Sequence, residues 1–273
     1  MKLDDMKMGD TKMGDMGRHI DACTNAVLPG GRRRLLLGEA PVGWAGTPGV
    51  GPLVLPDEPA LAALAAQMEA AGRFAPRGEL FDVRNDDTGQ VVARVDRGAL
   101  PALGIAAAGV HMNGLVRRGR DVRVWVARRA ADKKLEPGKL DHLVAGGVSA
   151  GMSFDDTLLK EAEEEAGLPP DLTRCAARVA TIRYATLREE GLRRDLLACY
   201  DLWLPVSFQP RAVDGEVAGF ELWPVDEVAD RVRRTNDFKF NVNLVLIDLF
   251  LRLGILPQPE ADALRREMAR VLS

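Results

Sequence analysis

The stretch GGVSAGMSFDDTLLKEAEEEAGL, residues 146–168, decides the fold class. Glycines make up half of its opening, GGVSAG, which predicts a loop with an exposed backbone. Ser153 occupies the position of a helix N-cap, and Asp156 follows at the spacing of a capping box. Gly167 and the two prolines beyond it predict where the helix ends. The stretch therefore predicts a glycine loop followed by a helix that runs to Ala166.

Two faces of this helix differ in chemistry. At 100° per residue, the apolar side chains fall within an arc of about 100°, which predicts the buried face: Leu158, Leu159, Ala162 and Ala166. The carboxylates of Glu161, Glu164 and Glu165 form a second arc beside the apolar one. The helix thus presents three stacked acids next to its buried face.

The stacked acids are unfavourable unless a cation binds them. Like charges three or four residues apart cost about 0.2–0.5 kcal/mol per pair, and the helix dipole disfavours anions near the C-terminus. Carboxylates without Cys or His suit Mg²⁺ or Mn²⁺, which proteins often share with substrate phosphates. An acidic face alone is typical of a solvated helix surface. The glycine loop, the capped helix and the glycine stop together favour a metal site.

This combination resembles the Nudix box, G-x5-E-x7-R-E-U-x-E-E-x-G-U, in which U is a bulky apolar residue. Gly146 matches the first glycine, and the end of the box is matched by Glu161, Glu164, Glu165, Gly167 and Leu168. Met152 replaces the mid-loop Glu of the family, Lys160 replaces its Arg, and Ala162 is small for U. In the family, that Glu and Arg commonly interact and brace the loop against the helix. Lysine cannot reproduce the bidentate fork of arginine, so this brace is absent.

Segments that flank the box resemble the Nudix subgroup related to thiamin pyrophosphokinase, whose members carry an extra N-terminal domain. The resemblance covers roughly residues 18–256. The matching segments are GVHMNGLV (109–116), WVARR (125–129), PGKLDHLVAGG (137–147), DGEVAGFELWPVDEV (214–228) and FKFNVNLVLIDLFLRLGIL (238–256). The resemblance implies an α/β fold, a Nudix-type α/β/α sandwich with a mixed sheet, preceded by a small α+β domain. It also implies a metal-dependent hydrolase that cleaves a diphosphate link in a thiamin-diphosphate-like or nucleoside-diphosphate-like substrate.

The resemblance also implies roles for individual residues. Glu161 and Glu165 would bind Mg²⁺ or Mn²⁺ directly, and the Gly146 carbonyl would join them. Glu164 would be a further metal ligand, an orienting residue or the general base. Glu216, outside the helix, is the candidate for an additional catalytic acid, with an ordinary loop acid as the alternative.

Three residues before the box are candidates for substrate binding. Lys139, Asp141 and His142 lie in the segment that leads into the glycine loop, where side chains can line a pocket. A structural role is the alternative for each of them. None of the three histidines of the chain has a partner at helical metal-ligand spacing, so no histidine metal site is predicted.

The chain divides into three predicted parts. Residues 1–17 repeat Met, Lys, Asp and Gly, which predicts a disordered extension. Residues 18–107 form the N-terminal α+β domain, and residues 108–273 form the hydrolase domain with its C-terminal helices. The small-residue stretch 104–108 marks the seam. The N-terminal domain is predicted to hold two strands in 32–45, a helix in 57–71 and a hairpin in 80–95.

Composition excludes several classes of protein. The chain has 273 residues and is 47% hydrophobic, enough for a real core. Its 37 basic and 40 acidic residues leave a net charge of −3, which gives no basic field for nucleic acid. An apolar run of about 18 residues is absent, so no membrane partner is expected. The three separated cysteines indicate structural thiols in a reducing compartment, and we predict a cytoplasmic protein, with a homodimer as an open option.

Two other functions remain open. A binding or regulatory module with a weakened box would explain Met152 and Lys160, although the intact EAEEEAG end disfavours it. An allylic diphosphate isomerase related by fold ranks last, because the cysteines lie outside any motif that it would need. The expected partner is a small-molecule diphosphate in the favoured interpretation.

Overall fold

The computed structural model describes residues 15–47 and 49–272. Its helices are α1 (Gly17–Cys23), α2 (Glu58–Ala70), α3 (Leu100–Leu103), α4 (Phe154–Ala166), α5 (Pro170–Thr173), α6 (Val225–Arg234), α7 (Val242–Leu253) and α8 (Gln258–Met268). Its strands are β1 (Arg33–Leu37), β2 (Ala40–Ala45), β3 (Leu53–Leu55), β4 (Leu80–Arg84), β5 (Val91–Asp96), β6 (Ala106–Arg118), β7 (Asp121–Arg129), β8 (Leu140–Asp141), β9 (Val144–Gly147), β10 (Ala177–Arg188), β11 (Gly191–Trp203) and β12 (Val217–Pro224). The predicted extension at residues 1–17 lies almost wholly outside the described residues.

A mixed sheet forms the centre of the molecule. Its strand order is β10-β11-β6-β7-β12, while β9 pairs with β6 and β8 pairs with β7. The contact between β11 and β6 is parallel, and the other pairings are antiparallel. Because β6 is long, its first half holds β9 and its second half holds β7. The strand that leads into the glycine loop is therefore anchored at the middle of the sheet.

Helices cover both faces of this sheet. On one face, α4 buries Leu158, Ala162 and Ala166 against side chains of β6, β7 and β11, and we call this the α4-side cluster. On the other face, α6, α7 and α8 pack against alternate residues of the same strands, and we call this the α7-side cluster. The predicted α/β/α sandwich with a mixed sheet is confirmed. None of the helices in the described residues is long and apolar enough to cross a bilayer.

The N-terminal unit, residues 33–105, has its own small core. A three-stranded sheet, β2-β1-β3, and the hairpin β4–β5 enclose an apolar cluster together with α2 and α3. Asp57 caps helix α2, since its carboxylate accepts a hydrogen bond from the Ala60 N–H at 2.9 Å. The strands, helix and hairpin predicted here are all present. They form the predicted small α+β arrangement.

The two parts of the chain are joined by a strand. The predicted seam at 104–108 contains the start of β6, so it is no open linker. Gly104 ends α3 with φ of 61°, and a Cβ there would lie 2.4 Å from the carbonyl oxygen of Trp44. Helix α1, assigned to the N-terminal domain from the sequence, packs on the other part of the chain, with Ile20 and Cys23 in the α7-side cluster. The domain boundaries themselves stay a prediction.

Candidate functional site

Helix α4 begins and ends where the sequence predicts. The Ser153 hydroxyl accepts a hydrogen bond from the Asp156 N–H at 3.0 Å, which satisfies one free donor of the first turn. Gly167 ends the helix in the left-handed conformation, with φ of 63°. Leu158 is buried as predicted, whereas Leu159 is only half-buried. With this orientation, the acids lie along the flank of the helix that borders β9.

Gly146 brings one acid directly against the sheet. A Cβ at this position would lie 2.3 Å from Cγ of Glu161 and 2.8 Å from its Oε2. Only glycine leaves room for the Glu161 side chain, which is 16% exposed. The geometry accordingly places a carboxylate beside the backbone of the glycine loop.

Glu165 is the most buried of the acids. Its Oε2 accepts a hydrogen bond from the Ala145 N–H at 2.9 Å, and the residue is 7% exposed. Burial raises the pKa of Glu165 well above its usual value, and the charges of Asp141, Glu161 and Glu216 raise it further. Burial also raises the pKa of Glu161. The surroundings of Glu161 and Glu165 thus disfavour their negatively charged forms.

The other two predicted acids are more exposed. Oε2 of Glu164 forms an ion pair with Nζ of Lys160 at 2.6 Å, and the same Nζ lies 3.2 Å from Oε1 of Glu161. Glu216 precedes β12 and pairs with Lys133. Its charge still contributes to raising the pKa of Glu161 and of Glu165. The structure therefore brings Glu161, Glu165 and Glu216 into electrostatic range of one another, with Glu164 on the outer side.

These residues suit a hard divalent cation. The donors are the carboxylate oxygens of Glu161 and Glu165, with the backbone of Gly146 next to Glu161, and Mg²⁺ and Mn²⁺ prefer such oxygen-only sets. A cation would also relieve the cost of burying Glu161 and Glu165 as anions. The donor set is therefore consistent with such a cation.

The predicted substrate-binding residues are held inside the protein. Asp141, 5% exposed, accepts hydrogen bonds from Nη1 of Arg129 at 2.8 Å and from the His142 N–H at 2.9 Å. Burial alone would raise the pKa of Asp141, but Lys239, His111 and Arg129 outweigh it and lower the pKa. Nζ of Lys239 lies 3.7 Å from this carboxylate. Asp141 is therefore a buried, neutralised anion.

Lys139 has a different neighbourhood. Its ammonium donates to the backbone carbonyl of Asn236, in the segment that leads into α7. It lines a groove together with Trp223 and Arg231. Lys139 and Asp141 thus follow one another closely in the chain and still have different partners.

A buried histidine pair was missed by the sequence reasoning. Nδ1 of His111 and Nδ1 of His142 are 2.9 Å apart, so one imidazole donates to the other. Burial lowers the pKa of both rings, that of His142 to about 4. Ligand atoms of His111, Asp141 and His142 lie within 4.8 Å of one another. Because Arg129 and Lys239 already neutralise Asp141, this cluster suits a second cation poorly.

Strand pairing explains why the histidine pair was missed. His111 and His142 are separated by 31 residues, and the antiparallel pairing of β9 with β6 brings their segments together. A search for helical spacing could not find them. The one available signal was the position of His111 in an alternating strand pattern.

Comparison with known proteins identifies this part of the chain. A model of the NUDIX domain matches residues 109–243, which run from β6 into α7 and include all the acids described above. These residues form a Nudix domain. The resemblance of the chain to the Nudix family is thereby confirmed, whereas its relation to the thiamin pyrophosphokinase subgroup stays a prediction.

Relatives of the Nudix domain extend over more of the chain. Nudix hydrolase 20, chloroplastic, of Arabidopsis thaliana is 42% identical over 186 residues, 68% of this chain and 50% of the relative. Nudix hydrolase 24, chloroplastic, of the same plant is 40% identical over 185 residues, with the same shares. A solved structure from Deinococcus radiodurans is 21% identical, with a TM-score of 0.48, and the match covers 62% of this chain and 97% of that one. The chain spans about half the length of these two curated relatives.

Proposed function

We propose that this protein is a metal-dependent Nudix-type hydrolase that cleaves a diphosphate link in a small molecule. One observation carries the proposal: buried Glu165 and half-buried Glu161 lie one turn apart on α4, against the glycine loop and within electrostatic range of Glu216. Such an arrangement is unstable as a set of anions and becomes favourable with a divalent cation and a polyphosphate. The Nudix domain match supports the same reaction class.

Each residue has a role in this proposal. Glu161, Glu165 and the Gly146 carbonyl would hold Mg²⁺ or Mn²⁺, which supplies charge neutralisation and lowers the pKa of a bound water. The Ala145 N–H fixes the orientation of the Glu165 carboxylate. Glu164, held by Lys160, and Glu216, which precedes β12, would complete the acidic site as ligand, orienting group or base.

The substrate class is a diphosphate of the thiamin-diphosphate-like or nucleoside-diphosphate-like type. The flanking segments support this class, because they resemble the Nudix subgroup related to thiamin pyrophosphokinase. Arg129 and Lys239, beside Asp141, place positive charge near the acids, which is consistent with an anionic substrate. We propose that Asp141 and His142 act in substrate binding by orienting Arg129 and His111, and that Lys139 binds the substrate at the groove edge.

Phosphate release tests the proposal directly. Thiamin diphosphate, its oxo and oxy analogues, ADP-ribose and dinucleotides are incubated with the protein, with and without Mg²⁺. We expect magnesium-dependent release from at least one diphosphate, and turnover lower by several orders of magnitude in Glu161→Gln and in Glu165→Gln. Glu163→Gln is the matched control, since Glu163 is an exposed acid of the same helix. Wild-type turnover in both site variants would contradict the assignment.

A weakened binding or regulatory module remains the second candidate. The ion pairs of Lys160 with Glu161 and with Glu164 favour it, because they occupy two of the acids. It predicts saturable binding of a diphosphate without phosphate release. A cytoplasmic location and a homodimer also remain proposals, and the two plant relatives are named chloroplastic.

A further inference from the structure

The glycine loop is in contact with the N-terminal unit. The Ala150 N–H donates to the carbonyl of Leu80 at 2.8 Å, so the loop adds a hydrogen bond to the edge of β4. The Ser149 hydroxyl donates to Oε1 of Glu79, just before β4. The Gly151 N–H donates to the Asp82 carboxylate, with 3.2 Å to each oxygen. Three consecutive residues of the loop are therefore bound by one segment of the hairpin.

Gly147 fits against the aromatic ring of the same hairpin. A Cβ on Gly147 would lie 2.6 Å from Cζ of Phe81 and 3.4 Å from Cζ of Arg97. Phe81 is 2% exposed, and Arg97 lies over its ring at 5.2 Å. Gly146, the preceding residue, meets Glu161 in the same way on the other side. Gly146 and Gly147 thus allow the backbone of β9 to pack closely between α4 and the hairpin.

The hairpin is held by ion pairs and by packing in the core of the N-terminal unit. Asp82, 8% exposed at its side chain, pairs with Arg84 at 3.2 Å and with Arg94 at 3.4 Å. Phe81 belongs to the core of the N-terminal unit, which continues into β6 without a linker. The hairpin that contacts the loop is therefore part of the packed core of the N-terminal unit.

Within the described part of the chain, the loop lacks a brace between Met152 and Lys160. The Met152 side chain packs against the α4-side cluster. Both ion-pair partners of Lys160, namely Glu161 and Glu164, lie on α4 itself. The polar contacts that hold residues 149–151 from outside come from the hairpin.

We infer that the hairpin β4–β5 is a positioning element of the Nudix site, which holds residues 147–151 so that Gly146 and Glu161 keep their geometry. The N-terminal unit thereby becomes part of the metal site without touching the metal. The inference rests on the proposed function only in assigning Gly146 and Glu161 to that site. Glu79, Phe81 and Asp82 are the positioning residues.

Amide hydrogen exchange of the metal-free protein tests the contact itself. Asp82→Ala removes the acceptor of the Gly151 N–H, and we expect exchange of residues 149–151 to accelerate about tenfold or more. Asp82→Asn retains an acceptor and should restore much of the protection. Asn85→Ala is the matched control, because the Asn85 side chain accepts a hydrogen bond from a backbone N–H in the turn of the same hairpin, that of Asp87 at 2.9 Å. Equal exchange of the loop in Asp82→Ala and Asn85→Ala would overturn the inference.

Mn²⁺ binding, measured by titration calorimetry, tests the consequence. Gly147→Ala should weaken binding about tenfold because its Cβ overlaps Phe81, and Phe81→Leu in the same chain should recover part of the loss by removing Cζ. Ser149→Ala, which leaves the N-terminal core untouched, should weaken binding about threefold. Loss without recovery in the double variant would refute the role of the hairpin.

The outcomes separate this inference from the proposed function. Altered loop exchange together with no phosphate release by the wild-type protein would preserve the positioning role and reject the hydrolase. Magnesium-dependent hydrolysis together with unchanged loop exchange in Asp82→Ala would support the hydrolase and reject the positioning role. If the wild-type protein does not bind Mn²⁺, the positioning role is rejected, because the hairpin then has no metal site to serve.

Discussion

Replacing Gly146 by alanine tests the geometry on which the proposed site depends. The new Cβ would lie 2.3 Å from Cγ of Glu161, against an ordinary contact of at least 3.4 Å, so the side chain must move by roughly 1 Å. Because Glu161 is packed against β9 with only 16% of its side chain exposed, this displacement moves its carboxylate away from its position beside the loop. A misplacement of about 1 Å in a catalytic constellation costs about 100-fold in rate, or about 2.7 kcal/mol.

The assay is magnesium-dependent phosphate release from the best substrate of the diphosphate panel. We expect kcat/KM of Gly146→Ala to fall about 100-fold, with weaker Mn²⁺ binding and a folded protein by circular dichroism. Gly219→Ala is the matched control, since a Cβ at Gly219 in β12 meets nothing within 4 Å. The reasoning is refuted if Gly146→Ala keeps wild-type kcat/KM and Mn²⁺ affinity, because Glu161 would then not need its position beside the glycine.

Two further predictions follow from the electrostatics around the site. Burial lowers the pKa of His142 from 6.5 to about 4. Between these two pH values the unfolded chain binds a proton at His142 that the folded chain does not bind. The free energy of unfolding should therefore decrease as the pH falls from 6.5 to 4, by at most about 3 kcal/mol. Urea titrations should show a shallower pH dependence in His142→Gln, and an unchanged one would count against a neutral buried pair. Lys160→Met should tighten Mn²⁺ binding about threefold, because it frees Glu161 and Glu164 from their ion pairs. The gain is modest because the Lys160 side chain is 46% exposed. Weaker binding in a calorimetric titration would mean that Lys160 supports the site.

Local signals account for the parts of the fold that the sequence predicted well. The cap at Ser153, the stop at Gly167 and the hairpin turn after β4 act within a few residues, so their elements could be placed to within a residue or two. Helix α6 was missed, although Val225, Val228, Ala229 and Val232 have helical spacing and are buried. It follows β12 with no intervening loop, so the strand pattern obscured the start of the helix.

The site was predictable only where it depends on one helix. Spacing along α4 placed Glu161 and Glu165 on a common flank, whereas the bond from Ala145 to Glu165 depends on where β9 lies. The His111–His142 contact depends on sheet pairing in the same way. Periodicity within a segment carries no information about which segments meet, so these partners needed the structure.

The substitution at Met152 and the position of the N-terminal unit are connected. A loop bordered by glycines has many backbone conformations, and restricting it requires contacts that outweigh the entropy lost. The Met152 side chain contributes apolar packing, so side-chain hydrogen bonds to the loop must come from other residues. The hairpin supplies acceptors to Ser149, Ala150 and Gly151, three consecutive residues. An internal Glu–Arg pair would hold the same loop from within, so a chain with this hairpin does not need that pair. Separating the N-terminal unit from the Nudix domain should therefore weaken metal binding, even though every acid remains in place.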